Sequence, residues 1–224
     1  MATHGEETRM QVEVTDDRIE ALKRFGTATI HEAQGQKGAV DGAIRPLDPG
    51  MRLGGPALTV QCRPGDNLAL HYALTKATPG QVMVVDAEGF TEAGPWGDVM
   101  TGAAQLAGLR GLAIDGSVRD SATIVAMGFP VFSRGISIKG TNKCQPGRVG
   151  IPIVFGGVVV RPGDIVIGDR DGLVVVLAEE VDRVIGLCQQ REDKEVEFRK
   201  ALASGKTSIE LLGLQGLLDR FDMK

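Results

Sequence analysis

The chain has 224 residues, 42% hydrophobic and 4% aromatic, which is enough apolar material to bury a sizeable core as one large domain or two small halves and argues against extended disorder. Its net charge of −4 mixes both signs, so no basic stripe is present to track phosphates, and nucleic acid is not an expected partner. No apolar run reaches the roughly 18 residues that span a bilayer, the start Met1-Ala2-Thr3-His4-Gly5-Glu6-Glu7 is polar and acidic rather than a leader, and the scattered Cys62, Cys144 and Cys188 support neither a disulfide framework nor a thiolate zinc site; a reducing cytoplasm is the expected home.

With 31 glycines, many tight turns should join short elements. Residues Asp17 to Phe25 set Ile19, Ala21, Leu22 and Phe25 at helical spacing, and Asp17 with Glu20 resembles a capping box, so a short helix ending near Gly26 is predicted. A second helical start follows at Thr27-Ala28-Thr29-Ile30-His31-Glu32-Ala33-Gln34-Gly35, then turns from Pro46 to Gly55 and a strand over Ala57 to Cys62. The middle alternates helices at Asn67 to Lys76, Asp98 to Ala107 and Ser121 to Met127 with strands at Gln81 to Ala87, Leu112 to Asp115 and Pro130 to Ser133. That order builds a parallel sheet of the α/β class. Beyond Gly147 come apolar β-rich runs, Ile151 to Val160, Ile165 to Ile167 and Leu173 to Leu177, separated by the turn sequences Arg161-Pro162-Gly163-Asp164 and Asp169-Arg170-Asp171-Gly172. Glu179 to Leu202 reads as a long charged helix, and the tail with Ile209, Leu211, Leu212, Leu214, Leu217 and Leu218 is too apolar to stand in water, so it should pack on a neighbouring subunit. Ser204-Gly205-Lys206-Thr207 ends like a phosphate-binding loop, but Lys200 stands where that loop needs its first glycine.

In an open α/β sheet the ligand crevice lies beyond the carboxyl ends of the strands. Two predicted strands end there in polar, glycine-rich loops. After the first, Gly97, Asp98, Val99 and Met100 open a helix whose backbone N–H groups offer a seat for a small carboxylate. After the second, Gly116-Ser117-Val118-Arg119-Asp120 delivers a guanidinium fork able to grip a carboxylate or keto oxygen, and a carboxylate able to bind a hard cation. Asp98 and Asp120 also read as helix N-caps, each worth about 1 kcal/mol, and Arg119 as a surface ion pair. The coincidence of these groups at one sheet edge favours a metal-assisted site. His31 and Glu32 read either as a ligand pair or general acid, or as structural residues of a helix start. Glu192, Asp193 and Glu195 lie on the charged helix, where a solvated face is the ordinary role. Trp96 is a candidate pocket wall, while His4 and His71 carry no clear sign of a role.

Over most of its length the sequence resembles the aldolase branch of the RraA-like family, which contains 4-hydroxy-4-methyl-2-oxoglutarate and 4-carboxy-4-hydroxy-2-oxoadipate aldolases beside the ribonuclease E inhibitor. The similarity rests on Thr29-Ile30-His31-Glu32-Ala33-Gln34-Gly35, Trp96-Gly97-Asp98, Gly116-Ser117-Val118-Arg119-Asp120, Gly128-Phe129-Pro130-Val131-Phe132, Lys139-Gly140-Thr141 and Val160-Arg161-Pro162-Gly163-Asp164. His31-Glu32-Ala33-Gln34-Gly35 resembles the aldolases rather than the inhibitors. The resemblance implies a single domain with a three-layer β/β/α sandwich-like fold of the swivelling-domain type, N- and C-terminal helices, and assembly as a homotrimer or a homohexamer with sites between subunits. It implies that Asp120 ligates Mg²⁺ or Mn²⁺, that Asp98 and a neighbouring subunit's Glu195 reach the ion through water, and that Arg119 and the Gly97 to Met100 backbone hold the keto-acid. The activity implied is a class II cleavage releasing pyruvate, with oxaloacetate decarboxylation as a side reaction; the rival is a non-catalytic binding protein of the ribonuclease-inhibitor kind. A third possibility, a quinone-pathway methyltransferase, requires a glycine-rich nucleoside loop that Val84-Val85-Asp86-Ala87-Glu88-Gly89 does not supply. In one departure, Thr123 stands where relatives often carry an acid three positions after the Arg-Asp pair.

Overall fold

Alternating side chains organise the centre of the molecule. The computed structural model describes residues 14–223; the polar start and His4 lie outside them. Helices α1 (Asp16–Arg24) and α2 (Thr27–Ala33) lead through the short strand β1 (Arg45–Pro46) into β2 (Leu53–Gln61), α3 (Leu68–Leu74), β3 (Val82–Phe90), α4 (Asp98–Leu106), β4 (Gly111–Val118), α5 (Ser121–Ala126) and β5 (Val131–Ile136). Strands β2, β3, β4 and β5 are mutually parallel neighbours, as the alternation of elements predicts. Leu58, Val60, Met83, Val85, Leu112, Ile114 and Val131 project to one face, where Leu70, Ala104 and Ile124 from α3, α4 and α5 cover them. Ala57, Val82, Val84, Ala113 and Phe132 project to the other, as the period of two requires.

That second face is closed by more strands. These are β6 (Arg148–Val149), β7 (Ile153–Phe155), β8 (Val158–Val160), β9 (Ile165–Asp169) and β10 (Gly172–Val176). β9 pairs antiparallel with the first half of β2 and β10 pairs with β9, giving the order β1-β5-β4-β3-β2-β9-β10. Ile153, Phe155, Val160, Val166, Leu173 and Val175 fill the space between, and Arg45 reaches the Asp171 carbonyl at 2.6 Å, drawing the two ends of the sheet together. After a 3-10 turn, α6 (Val181–Ala203) packs with α1 and α2 over β9 and β10 through Ile19, Leu22, Ile30, Val184 and Cys188. The result is the expected mixed α/β arrangement of helix, sheet and second strand layer. The chain ends in α7 (Ser208–Leu212) and α8 (Gln215–Arg220). Among the described residues no helix is long and apolar enough to cross a membrane.

Three local expectations need correction. Thr15 is the N-cap of α1 and makes no side-chain cap bond; Glu20, assigned to a capping box with Asp17, instead binds Lys23 at 2.8 Å, a cation one helical turn away. The run 151–160 is not one strand but a hairpin, because Gly156 and Gly157 take φ of 50° and 83°, a conformation open to glycine at little cost. Trp96 does not wall a pocket: it is fully buried, with its indole N–H given to Thr101 Oγ1 at 2.8 Å.

Candidate functional site

The carboxyl ends of β3, β4 and β5 carry three loops that are laced together by backbone bonds. Arg119 N donates to Trp96 O at 2.8 Å, Ser137 N to Val118 O at 2.9 Å and Gly94 N to Lys139 O at 3.0 Å. The loop after β4 is thereby held against the start of α4, and Arg119 and Asp120 stand beside Gly97 and Asp98. An added Cβ on Gly97 would lie 2.4 Å from Asp120 Oδ2 and 3.1 Å from Arg119 Nε, so glycine permits this approach. Gly140 sits on the far side of Arg119, with its missing Cβ 3.9 Å from Nη1.

Neither aspartate caps its helix with its side chain. Gly97 is the N-cap of α4 and Asp98 its first residue, whose Oδ1 accepts from Val99 N at 2.7 Å. Asp120 occupies the N-cap position of α5 but makes no cap bond and adopts the left-handed conformation, φ 55° and ψ 32°. That geometry costs a non-glycine residue roughly 1–3 kcal/mol. It turns the carboxylate towards α4: Oδ2 lies 3.4 Å from Asp98 N and 3.4 Å from Arg119 Nε. Both contacts are long, and the Arg119 and Asp120 side chains are 46% and 39% exposed, so the carboxylate retains unused lone pairs open to solvent. Of the residues predicted to seat a carboxylate, Val99 points its side chain to solvent and Met100 into the core; only their backbone can serve a ligand, and the Val99 amide is shared with Asp98.

The remaining predicted residues form a second group. His31 Nδ1 is bonded to Lys37 O at 2.9 Å, Glu32 pairs with Arg191 of α6, and Glu195 forms an ion pair with Arg191, its oxygen 3.3 Å from Nε, and accepts from Arg199 Nη1 at 3.1 Å. They line the α2–α6 face over β9 and β10, across the sheet from β4. Within one chain the structure does not join them to Arg119 and Asp120. Thr123 is exposed on α5, one turn beyond Asp120.

Two contributors went unrecognised in the sequence. Asn67 is 7% exposed; its Nδ2 donates to Pro95 O at 2.9 Å and approaches Met100 Sδ, bracing the start of α4, while its buried Oδ1 has no partner among the described residues. Lys139 binds Glu92 at 2.5 Å across the mouth of the loops, and its ammonium holds that carboxyl below the usual range. A large groove of about 1090 Å³, lined by Tyr72, Lys76, Gly80 and Arg161, opens at the amino-terminal ends of β2 and β3, opposite the end where α/β sheets place their chemistry.

The donors at the loops are oxygens, the set a hard divalent ion prefers. Among the described residues no three His, Cys, Asp or Glu side chains converge on a metal position, so within one chain an ion beside Asp120 would have few direct protein ligands. This fits an ion of the Mg²⁺ kind, which usually keeps several waters and takes one or two carboxylates.

The RraA-like family model, described as Aldolase/RraA, matches residues 27–175, a span containing every loop of this site. The chain is 33% identical over 193 residues to a Halalkalibacterium halodurans protein named "Putative 4-hydroxy-4-methyl-2-oxoglutarate aldolase", covering 86% of this chain and 92% of that one. A crystal structure of an uncharacterized protein from Pseudomonas syringae pv. tomato superposes with a TM-score of 0.78 at 30% identity, covering 88% of this chain and 93% of the other. Streptomyces coelicolor RraAS2, titled an unusual member of the RNase ES inhibitor RraA protein family, superposes at 0.72 with 29% identity over 84% of this chain and 98% of its own. The motifs that fold into the laced loops are therefore those of a recognised group, and the chain belongs to the RraA-like family.

Proposed function

We propose that the protein is a divalent-metal-dependent, class II aldolase. It cleaves a 4-hydroxy-2-keto diacid, of the 4-hydroxy-4-methyl-2-oxoglutarate or 4-carboxy-4-hydroxy-2-oxoadipate kind, to pyruvate and a second keto-acid, with oxaloacetate decarboxylation on the side. The observation that carries this reading is the left-handed Asp120, which gives up capping its own helix and turns its carboxylate to the α4 start beside Arg119. The similarity to the Halalkalibacterium protein supports a lyase of this type.

Asp120 would hold Mg²⁺ or Mn²⁺, with Asp98 and a partner subunit's Glu195 reaching it through water. When bound, the ion would act as a Lewis acid on the 2-keto oxygen. Arg119 grips the same keto-acid with its fork and offsets the negative charge that grows on the pyruvyl half as the C3–C4 bond breaks. The amides opening α4 and the positive end of its dipole favour the pyruvyl carboxylate. Asp98 would relay the C4 hydroxyl proton to water; that proton's departure turns C4 into the new keto group, and the enolate left behind takes up a proton to become pyruvate. Loss of carbon dioxide from oxaloacetate leaves the same enolate, so the same residues serve both reactions.

Assembly as a trimer, or two trimers, completes this reading. It is supported by the exposed Leu212, Leu217, Phe221 and Met223 of the tail. The rival, a non-catalytic binding protein, draws on the likeness to RraAS2. Pyruvate release coupled to lactate dehydrogenase, with oxaloacetate and a 4-hydroxy-2-keto diacid, each with and without Mg²⁺, separates the two: metal-dependent pyruvate is expected, and its absence from both substrates would favour the rival.

A further inference from the structure

The strand that delivers Arg119 and Asp120 loses register with both neighbours at one level. Against β5, Ile114 pairs with Ser133 and Ser117 with Gly135, so Asp115 and Gly116 together face the single residue Arg134, an extra residue of the β-bulge kind. Against β3, Asp115 pairs with Asp86 and the next residue, Gly116, with Phe90. The three residues skipped, Ala87 to Gly89, bulge outward with φ of 57° at Glu88 and 68° at Gly89. Asp115 is thus the last residue of β4 in register with β3 before the chain turns to the site.

A largely buried ion pair sits at that level. Arg134 Nε donates to Asp115 Oδ1 at 2.5 Å, and its Nη1 meets Asp41 Oδ2 at 2.9 Å. The other Asp115 oxygen accepts from Gly156 N at 3.3 Å. The Asp115 and Arg134 side chains are only 12% and 22% exposed. Without the guanidinium, Asp86 and Asp115 would be like charges directly across a ladder, which is destabilising. Beyond the bulge, Ser117 Oγ donates to Thr91 O at 3.0 Å, tying β4 to the loop that leads to Gly97.

We infer that Asp115 and Arg134 are positioning residues for the Arg119–Asp120 site, clamping the bulge in β4 so that the loop leaves the strand aimed at the start of α4. The inference rests on the reading of that site given above. Bulges beside active sites commonly re-aim a side chain, and here three residues separate Asp115 from Arg119. Asp41 braces the same guanidinium from a segment that carries no part of the site.

Hydrogen–deuterium exchange and turnover, measured on the full chain, test this together. In Asp115→Asn, peptides covering 116–120 should exchange at least tenfold faster, and kcat for pyruvate formation should fall at least tenfold per folded molecule. Asp41→Asn, which weakens the same guanidinium from the other side, should change kcat less than twofold. If Asp115→Asn does not fold, Asp115→Asn/Arg134→Gln removes both charges and leaves neither unpaired; the same losses are expected. Unchanged exchange over 116–120 together with unchanged kcat in a folded variant would overturn the inference, as would an equal kcat loss in Asp41→Asn. Should the parent protein release no pyruvate at all, the proposed function fails, and the exchange at 116–120 decides the clamp alone.

Discussion

Gly97→Ala separates the site from the fold. Gly97 has φ −145° and ψ −169°, extended backbone that alanine adopts freely, so only space is at stake. The new methyl would lie 2.4 Å from Asp120 Oδ2, about 1 Å inside the 3.4 Å at which ordinary contact begins. The obstructing atom is the tip of a half-exposed side chain and can move. Losing glycine for alanine at an N-cap costs about 1 kcal/mol, and the stiffer unfolded chain returns about 0.4–1 kcal/mol, so Tm should shift by no more than about 4 °C. The carboxylate, however, is displaced by about 1 Å from its place beside Arg119 and the α4 amides. A misplacement of that size costs a reaction about 100-fold, or about 2.7 kcal/mol in the activation barrier. The lactate dehydrogenase assay at saturating Mg²⁺, with Tm followed by scanning fluorimetry, reads both quantities. Activity within threefold of the parent would refute the claim that the Gly97–Asp120 approach matters to the chemistry.

Other positions give contrasting outcomes. Gly94→Ala should behave in the opposite sense, because its methyl would meet Ser137 O at 2.5 Å and the Val118 carbonyl carbon at 3.1 Å; backbone cannot step aside, and urea unfolding should show a loss of about 1–3 kcal/mol. A thiol reagent should modify the exposed Cys144 in the native protein and spare Cys62 and Cys188 until denaturant is added: both are buried, and burial first, then Asp66 and Glu192 respectively, pushes their thiols up to about 12 and about 11. Fast reaction of all three would contradict the core described above. Burial alone would raise the Asp66 carboxyl, but bonds from Cys144 N, Leu68 N and Gln145 N outweigh it and leave the group below its ordinary 3.8. The unfolded chain then binds more protons in that window, so the stabilisation is present above 3.8 and disappears as pH falls through the lower folded value. In urea titrations across this range Asp66→Asn should flatten the acid limb, and an unaltered slope would show that these bonds do not hold the loop.

The parallel core was legible because it depends on neighbours in sequence. Apolar runs such as Val82 to Val85 and Leu112 to Ile114 alternate with helices of small residues, and short connections leave few other topologies. What escaped were features satisfied from a distance. β4 runs on through Asp115 and Ser117, polar residues that look like a strand's end but are buried because Arg134 and the Thr91 carbonyl meet them. Asn67 opens the predicted helix, yet as the N-cap of α3 it makes no cap bond and holds Pro95 instead. The Gly156-Gly157 pair is a turn marker set inside an otherwise apolar run. His31, Glu32 and Glu195 cannot be assigned to the Arg119 site from one chain, since their partners Lys37, Arg191 and Arg199 are on their own face of the molecule.

Whether Asp120 serves as a helix cap is a question of energies that the backbone answers. A capping carboxylate would add about 1 kcal/mol, and a right-handed or extended residue would avoid the roughly 1–3 kcal/mol of the left-handed region. The chain forgoes both at one residue while Arg119 N, Val118 O and Gly94 N lock the surrounding loops. Such a conformation persists only where its surroundings over-determine it, and its one evident effect is to aim a carboxylate at Arg119 and the α4 start. This makes Asp120→Asn the sharpest substitution for the proposed metal role. Asparagine is as tolerant of the left-handed region as aspartate, so the backbone and Tm should be retained and only the charge removed. Metal-dependent pyruvate release should disappear with it; unchanged activity in a folded Asp120→Asn protein would place the ion elsewhere.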